Sequence, residues 1–468
     1  MTSVLRKSRY EKSSVGFVYP LSNSLNFVLH ISKGQTIRFY RFSSLFLAYA
    51  LLLSFFLVIQ AHAESTWTIQ TVSKGANGTA VSIVLDSDGN PHIAYSEYTN
   101  GSYRSLTVNL TYAVWNDSAW TVQTLGSQVY STRSSLALDS FDNPHICYLY
   151  KPPVGTSYLM YTHCIGSNWT TQTIDEVVEE STCSLALDSN NNPHISYSKG
   201  NNLMYATWID SSWSIQTLDS TASIFFYDST VNLDSKDYPH IIYGDAVQVG
   251  GGNSVTLADV KYAEWDGSSW SIQIVFSNVN SFGNIALDSN WYPHFTYIVG
   301  SSLRYASWDG STWNTQTVDS NPLVSSYPSG SCFLALDNRN NPHISYYRYN
   351  SGASTNPDSD VGLIYAYQSG SAWNIQTVDN SGTYFGVGPI TLDSDGNPHI
   401  IYQSEHLGQA VYYYVDIKYA TRTESTPTPS PPTSLSDLQL IVIVAVVGGA
   451  IISVAFLVYR IRRKGAKS

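Results

Sequence analysis

Seven aspartate–histidine pairs set the chemistry available to this chain. In each, Leu-Asp is followed by four residues and then Pro-His, giving Asp86/His92, Asp139/His145, Asp188/His194, Asp234/His240, Asp288/His294, Asp337/His343 and Asp393/His399. A carboxylate and an imidazole at short fixed spacing suit general acid–base catalysis or metal ligation. Yet the same neighbours return in every copy, whereas a catalytic centre would differ in one or two. The histidines therefore read as a structural device, each bonding to the turn beside it. Asp86–Asn90 and Asp393–Asn397 begin like a calcium loop, and calcium needs several oxygen ligands. The equivalent of Asp88 is Phe141, Lys236 or Arg339 in other copies, which favours a turn over a calcium site. No other cofactor or metal is expected.

The elements that must hold these pairs are short strands. Each copy carries four strand-like runs, as in CSLALD, PHISY, LMYATW and WSIQTL. Run three centres on Tyr112, Tyr161, Tyr205, Tyr262, Tyr305, Tyr365 or Tyr419. Run four opens on Trp67, Trp120, Trp169, Trp213, Trp270, Trp313 or Trp373, with Gln three residues on. Turns such as DSNNNP join runs one and two, since Asp bonds to backbone two residues ahead and Pro is tolerated at a strand start. Asp-Gly turns such as WDGSSW join runs three and four. Units of 46 to 56 residues that repeat this way are the mark of a propeller or solenoid.

The ends of the array are informative. A lone run four, Trp67–Val72, precedes the first Leu-Asp copy, and the last copy stops after run three at Tyr419-Ala420. The first segment supplies what the last copy lacks, so closing the ring removes an open sheet edge. The expectation is an all-β, seven-bladed β-propeller of four-stranded antiparallel blades spanning 64–421, with the tryptophans as blade core.

The repeats resemble bacterial and archaeal surface β-propellers related to the sialidase-like, Asp-box class. The turn Ser307–Trp313, SWDGSTW, is similar to the Asp-box hairpin but one residue short of it. The resemblance implies the propeller fold. For activity it would imply an arginine cluster for a carboxylate, a Tyr/Glu nucleophile pair and an acid. The array offers Arg104, Arg133, Arg304, Arg339, Arg348 and Arg422, and no spacing brings three of them to one place. Two carboxylates flanking a glycosidic bond are the other route, and no spacing selects a pair.

Two apolar segments frame the array. Leu45–Ile59 follows Arg38 and Arg41 and precedes Ala61-His62-Ala63, a secretory signal over 1–63 with cleavage after Ala63, or a signal anchor if uncleaved. Leu438–Tyr459 is uncharged over 22 residues, enough for a transmembrane helix. A Pro/Ser/Thr-rich stalk, 422–437, precedes it, and the basic tail 460–468 follows, placing the C-terminus in the cytoplasm. Between the segments lie 12 Lys and Arg against 34 Asp and Glu, a formal charge of −22, which excludes nucleic acid as a partner. The expected location is the cell membrane, single-pass, with the propeller outside.

Four cysteines, Cys147, Cys164, Cys183 and Cys332, then lie in an oxidising compartment. Cys183 and Cys332 occupy the same repeat position, so they are not expected to pair; at most one disulfide is. Five N-x-S/T sequons, Asn77, Asn100, Asn109, Asn116 and Asn168, are candidate glycan sites.

Turn lengths are constant on one face of the ring and variable on the other. Connections between runs two and three range from the short Ser198–Asn202 to the long Gly244–Val260 and Tyr347–Gly362. Function collects on variable loops held by a rigid scaffold. The candidate ligand-binding residues on that face are Tyr98, Tyr103, Tyr130, Tyr227, Tyr327, Tyr349, Tyr384 and Tyr413, with Phe226 beside them. The favoured expectation is a binding or adhesion module for extracellular glycan or protein ligands. An anchored sialidase-like glycan hydrolase is the alternative, and a structural envelope component the third.

Overall fold

The structure, a computed structural model, describes residues 66–75, 81–98, 108–127, 134–178, 182–220, 229–248, 256–320, 332–348, 362–381, 384–386, 388–407 and 413–423. The segments expected as signal, membrane helix and basic tail lie outside the described residues, as does the stalk beyond residue 423. Among the described residues no helix is long and apolar enough to cross a membrane.

Seven antiparallel sheets follow one another, six built from four consecutive strands. Blade 3 shows the plan: Cys183–Leu187, Pro193–Lys199, Asn202–Ile209 and Ser212–Asp219, paired in that order. Burial explains the composition of each run. The His strand is covered on both faces by neighbouring blades, so PHISY is buried at nearly every position. The Trp strand forms the rim, and most of WSIQTL is exposed.

Blade 7 is closed from the front of the chain. Thr66–Ser73 pairs antiparallel with Tyr413–Thr423, placing Trp67 opposite Arg422 and Gln70 opposite Tyr419. Ile390–Leu392 and Pro398–Leu407 complete the sheet, and Tyr384–Gly386 extends the inner edge. The seven-bladed closed ring is thus present, and the N-terminal strand supplies the missing rim.

The hydrophobic core is divided among the blade junctions. Leu149, Tyr161 and Ile174 of blade 2 pack with Leu185, Ile195 and Tyr197 of blade 3, and the same grouping recurs around the ring to Ile401 and Ile417 of blade 7 against Ile83 and Tyr95 of blade 1. Stacked sheets of this kind bury apolar surface only against a neighbour.

Polar stitches line the inner strands. The Ser82, Ser135, Ser184 and Thr230 hydroxyls accept the N–H of Leu136, Leu185, Val231 and Ile285 at 3.0–3.1 Å, and the Asn284 amide oxygen accepts that of Leu334 at 2.7 Å. Every stitch runs from one blade to the next. Phe333 and Pro389 occupy the corresponding positions in blades 6 and 7.

One expectation is corrected here. Most of Gly244–Val260 is strand: Gly244 to Gln248 pair with Val260 to Thr256, so the long connection is a projecting hairpin. Alternation of Val, Ala and Gln within it is a strand signal that the loop reading passed over.

Candidate functional site

Each repeat histidine sits between a turn and a tyrosine. Asp188 shows why the turn forms: its Oδ1 accepts the N–H of Asn190 at 2.9 Å and of Asn192 at 2.7 Å, and its Oδ2 accepts the Asn192 side chain at 2.9 Å. The residue three after each Asp takes the left-handed region, with φ 61° at Asp142, 65° at Asn191 and 63° at Asn340. Short polar side chains tolerate that conformation. Trp291 occupies it in blade 5 with φ 67°.

The His ring stands beside this turn. Nε2 faces the Asp carboxylate at 3.4 Å in His92, 3.6 Å in His145 and His399, and up to 4.0 Å in His240. Nδ1 meets the hydroxyl of the third-strand Tyr, at 2.5 Å for His145–Tyr161 and 2.6 Å for His343–Tyr365. The pairs His92–Tyr112, His194–Tyr205, His240–Tyr262, His294–Tyr305 and His399–Tyr419 repeat it. A neutral ring with its proton on Nε2 lets the tyrosine O–H donate to Nδ1. Burial holds all seven imidazoles below the ordinary histidine range against the pull of the neighbouring Asp, His145 at about 4. Burial also pushes the Tyr161 hydroxyl far up. Such a set locks strands one, two and three together. It is largely buried and repeated in every blade, as a structural device is. The Nε2 atoms of His294 and His399 nevertheless have no hydrogen-bond partner, and the blade 3 set of Asp188, His194 and Tyr205 forms part of a cleft between blades 3 and 4.

The tryptophans stand at the junctions, half-buried, where the sequence reading expected them inside blades. Each lies edge-on to the third-strand Tyr of the preceding blade: Trp120 on Tyr419 at 5.4 Å, Trp169 on Tyr112 at 5.5 Å, Trp213 on Tyr161 at 5.3 Å, Trp270 on Tyr205 at 5.2 Å. Trp313 on Tyr262, Trp373 on Tyr305 and Trp67 on Tyr365 continue the ring. Edge-to-face geometry is the favoured aromatic arrangement. The Gln of W-x-x-Q now has a reason. Trp120, Trp169, Trp213 and Trp373 donate Nε1–H to Gln70, Gln123, Gln172 and Gln316 of the preceding blade. The Nε1 atoms of Trp67, Trp270 and Trp313 are buried without a partner.

Of the candidate tyrosines, Tyr98 is half-buried at the end of Pro91–Tyr98, opposite Val108. The backbone of Tyr384 and Tyr413 is strand. Tyr103, Tyr130, Tyr227, Tyr327 and Tyr349 lie outside the described residues, with Phe226. Asn77 and Asn100 lie outside them too. Asn116 and Asn168 are exposed, and Asn109 is half-buried in a strand. Cys147 and Cys183 form a disulfide between blades 2 and 3, and Cys164 and Cys332 are buried thiols. Among the described residues no group of three or more His, Cys, Asp or Glu could hold a metal ion.

The constant-turn face carries a cleft that the pattern did not single out. It lies between blades 3 and 4, holds about 510 Å³, and is lined by Trp208, Trp265, Trp270, Gln216, Asp210 and Lys236 among others. Tryptophan at both ends of a hairpin builds its walls: Trp208 packs on Trp213 at 5.3 Å and Trp265 on Trp270 at 5.7 Å. Tyr238, which also lines it, rests over Gly267, whose φ of 96° and closeness to the Tyr238 ring leave no room for a Cβ. The three acids of the lining differ. Asp188 is engaged by its turn and Asp237 by Ser189, at 2.6 and 2.8 Å, whereas the Asp210 carboxylate is uncommitted. Gln216 and Trp270 Nε1 do not bond to each other here, although their equivalents do at the junction before. The usable signal was the paired Trp of WIDSSW and WDGSSW in adjacent copies.

No family model matches this chain, and no curated protein does. Several solved structures are similar to it. AofleA from Arthrobotrys oligospora is 12% identical, covering 67% of this chain and 89% of that one, with a TM-score of 0.43. The β-propeller domain of the trilobed protease from Pyrococcus furiosus is 8% identical over 78% and 99% of the two chains, with a TM-score of 0.44. The NanB sialidase from Streptococcus pneumoniae is 11% identical over 75% and 69%, with a TM-score of 0.41. The propeller assignment rests on the strand order and register of this chain itself.

Proposed function

We propose that this protein is a carbohydrate-binding propeller, displayed outside the cell and held at the membrane by its apolar C-terminal segment. The cleft between blades 3 and 4 carries the reading. Its volume of about 510 Å³ falls in the range of small-ligand pockets. Three indole rings offer flat apolar faces for the C–H side of a sugar, while each indole keeps a polar edge. Gln216, Asp210 and Lys236 supply donors and acceptors for hydroxyls. A cleft with one uncommitted carboxylate favours binding over hydrolysis, because glycosidases of the common kind need two carboxyl groups across the bond. One of the structures named above is a sialidase, and turnover is the second outcome to test.

Titration of the full-length protein with neutral mono- and oligosaccharides, read by tryptophan fluorescence, tests this directly. A saturable change is expected, weakened tenfold or more in Trp265→Ala and Gln216→Ala. No change with any saccharide, or an unaltered response in both variants, removes the cleft from consideration. Release of free sugar would replace the binding reading with the hydrolase.

A further inference from the structure

The chain follows an internal rule of charge pairing at its blade junctions, and one junction breaks it. The sixth residue after the rim Trp is Asp in four blades: Asp175, Asp219, Asp319 and Asp379. Each meets one tyrosine hydroxyl and one cation from the following blade. Asp175 takes Tyr197 and Lys199, both at 2.8 Å; Asp219 takes Tyr243 at 2.7 Å and Lys261 at 3.0 Å. Asp319 takes Tyr346 at 2.7 Å and Arg348 at 2.6 Å; Asp379 takes Tyr402 at 2.6 Å and Lys418 at 3.1 Å.

The cation comes from one of two places. Lys199 and Arg348 are the fifth residue after the repeat His; Lys261 and Lys418 directly precede the third-strand Tyr. Where the acid is absent, both places should be free of cations. After Ser73 they hold Glu97 and Thr111, and after Gly126 they hold Tyr150 and Met160. After Phe276 they hold Val299 and Arg304. Arg304 is therefore a cation whose internal counter-ion has been exchanged for an aromatic ring.

The geometry agrees with the pattern. Phe276 stacks on Tyr297, ring centroids 4.7 Å apart and planes 12° from parallel. It thus covers the tyrosine that an acid would have bonded. Arg304 is opposite Tyr297 in register, half-buried, with its Nε buried and unpartnered. Two of the links beside the niche are short: Asn280 alone separates Trp270–Val279 from Ser281–Leu287, and Gly300-Ser301 separates Pro293–Val299 from Ser302–Trp308. A guanidinium presents a fork of donors matched to planar oxyanions.

We propose that Arg304 is a binding residue for an external oxyanion, the carboxylate or sulfate group of an acidic ligand, on the face opposite the Trp-lined cleft. Phe276 both removes the competing internal acid and walls the niche. The proposal stands independently of the cleft, which is neutral-sugar chemistry at a different junction.

The test compares inorganic sulfate, sodium glucuronate and chloride at equal ionic strength on the full-length protein, by thermal shift and calorimetry. Sulfate or glucuronate should stabilise the parent beyond chloride; glucuronate alone would point to a sugar-borne carboxylate, and both to the oxyanion in general. Arg304→Gln should weaken that binding by roughly tenfold or more. Phe276→Asp keeps Arg304 and supplies an internal partner, so it should lose the anion response while retaining a folded ring, and it decides the matter if Arg304→Gln does not fold. Trp265→Ala should leave the anion response intact, separating this site from the cleft. Absence of any response above chloride in the parent, or its persistence in both Arg304→Gln and Phe276→Asp, overturns the proposal.

Discussion

Trp67 meets Tyr365 edge-on, ring centroids 5.3 Å apart and planes at 78°, although one lies at the start of the described chain and the other in blade 6. The contact is the same one that Trp213 makes with Tyr161 within consecutive sequence, at 5.3 Å and 78°. The closing strand thus enters blade 7 as a full equivalent of the other rims, with its Trp, its Gln and its place in the aromatic ring.

Deleting Thr66–Ser73 should therefore expose the edge of Tyr413–Thr423 and remove the Trp67–Tyr365 ring contact on one side of blade 7 and the Trp120–Gln70 hydrogen bond on the other. We expect a lower melting temperature and aggregation, as an uncovered edge invites pairing. Appending TWTIQTVS after Thr423 should restore the ring. A deletion variant that melts like the parent would show the strand to be dispensable.

Acid should destabilise the ring well above the carboxylate range. All seven repeat histidines are held neutral by burial, His145 down to about 4 from an ordinary 6.5. The unfolded chain takes up these protons near pH 6.5 and the folded one only at lower pH. Their contribution is thus complete above 6.5 and is lost as pH falls below it, for His145 down to about 4. For His145 alone this amounts to roughly 3 kcal/mol. The Asp86 carboxyl, where bonds from Asn90 and His92 outweigh the effect of burial, lies below its ordinary value and adds the same sign at still lower pH. Melting temperatures at constant ionic strength from pH 7 to 4 provide the check; a flat profile would mean charged histidines in the fold.

Two tryptophans separate packing from hydrogen bonding. Trp213 donates Nε1–H to Gln172 at 2.8 Å, while the Trp270 Nε1 is unpartnered. Replacing each by Phe keeps most of the edge contact and removes only the N–H. Trp213→Phe should cost about 1 kcal/mol more than Trp270→Phe in denaturant unfolding, the net value of one bond. Equal costs would mean that the Gln172 bond contributes nothing.

The disulfide Cys147–Cys183 closes 36 residues and joins the second strand of blade 2 to the first strand of blade 3. Chain-entropy reasoning gives about 3–4 kcal/mol for a loop of this size. Reduction, or Cys147→Ala with Cys183→Ala, should lower the melting temperature, and peptide mapping under non-reducing conditions should recover the two cysteines linked. Free thiols at all four cysteines would refute the pairing.

The proposed membrane topology is open to a direct assay. Protease added to intact cells should remove the repeats and spare a tag placed after Ser468. Protection of the repeats would reverse the orientation that the basic tail implies.

Much of the fold was legible because its signals are local. Leu-Asp, Pro-His and W-x-x-Q recur at fixed positions, and counting them gave seven blades and the borrowed rim strand. The partners across blades were less visible. His194 bonds to Tyr205 eleven residues on, but His240 to Tyr262 twenty-two residues on, because the connecting hairpin differs in length. A fixed-spacing search cannot find a contact that depends on strand register. Trp270 on Tyr205 is harder still, since it joins different sheets. The charge rule was readable, because Asp175, Asp219, Asp319 and Asp379 stand at one repeat position; its meaning required knowing which blade faces which. The cleft between blades 3 and 4 lies at the same remove.

The borrowed rim sets an order in time. Thr66–Ser73 precedes every other described strand in the chain, yet its partner strand Tyr413–Thr423 is the last of them. As the chain emerges, blades 1 to 6 can each complete themselves from consecutive sequence. Throughout that interval the first strand waits with its hydrogen-bonding edge unmatched. Newly made protein is therefore expected to pass through a stage in which six blades are formed and the first strand is still unpaired. At that stage a second copy's terminal blade offers the same contacts as its own, so strand exchange between copies is an expected by-product at high protein concentration and dilution should favour monomeric rings.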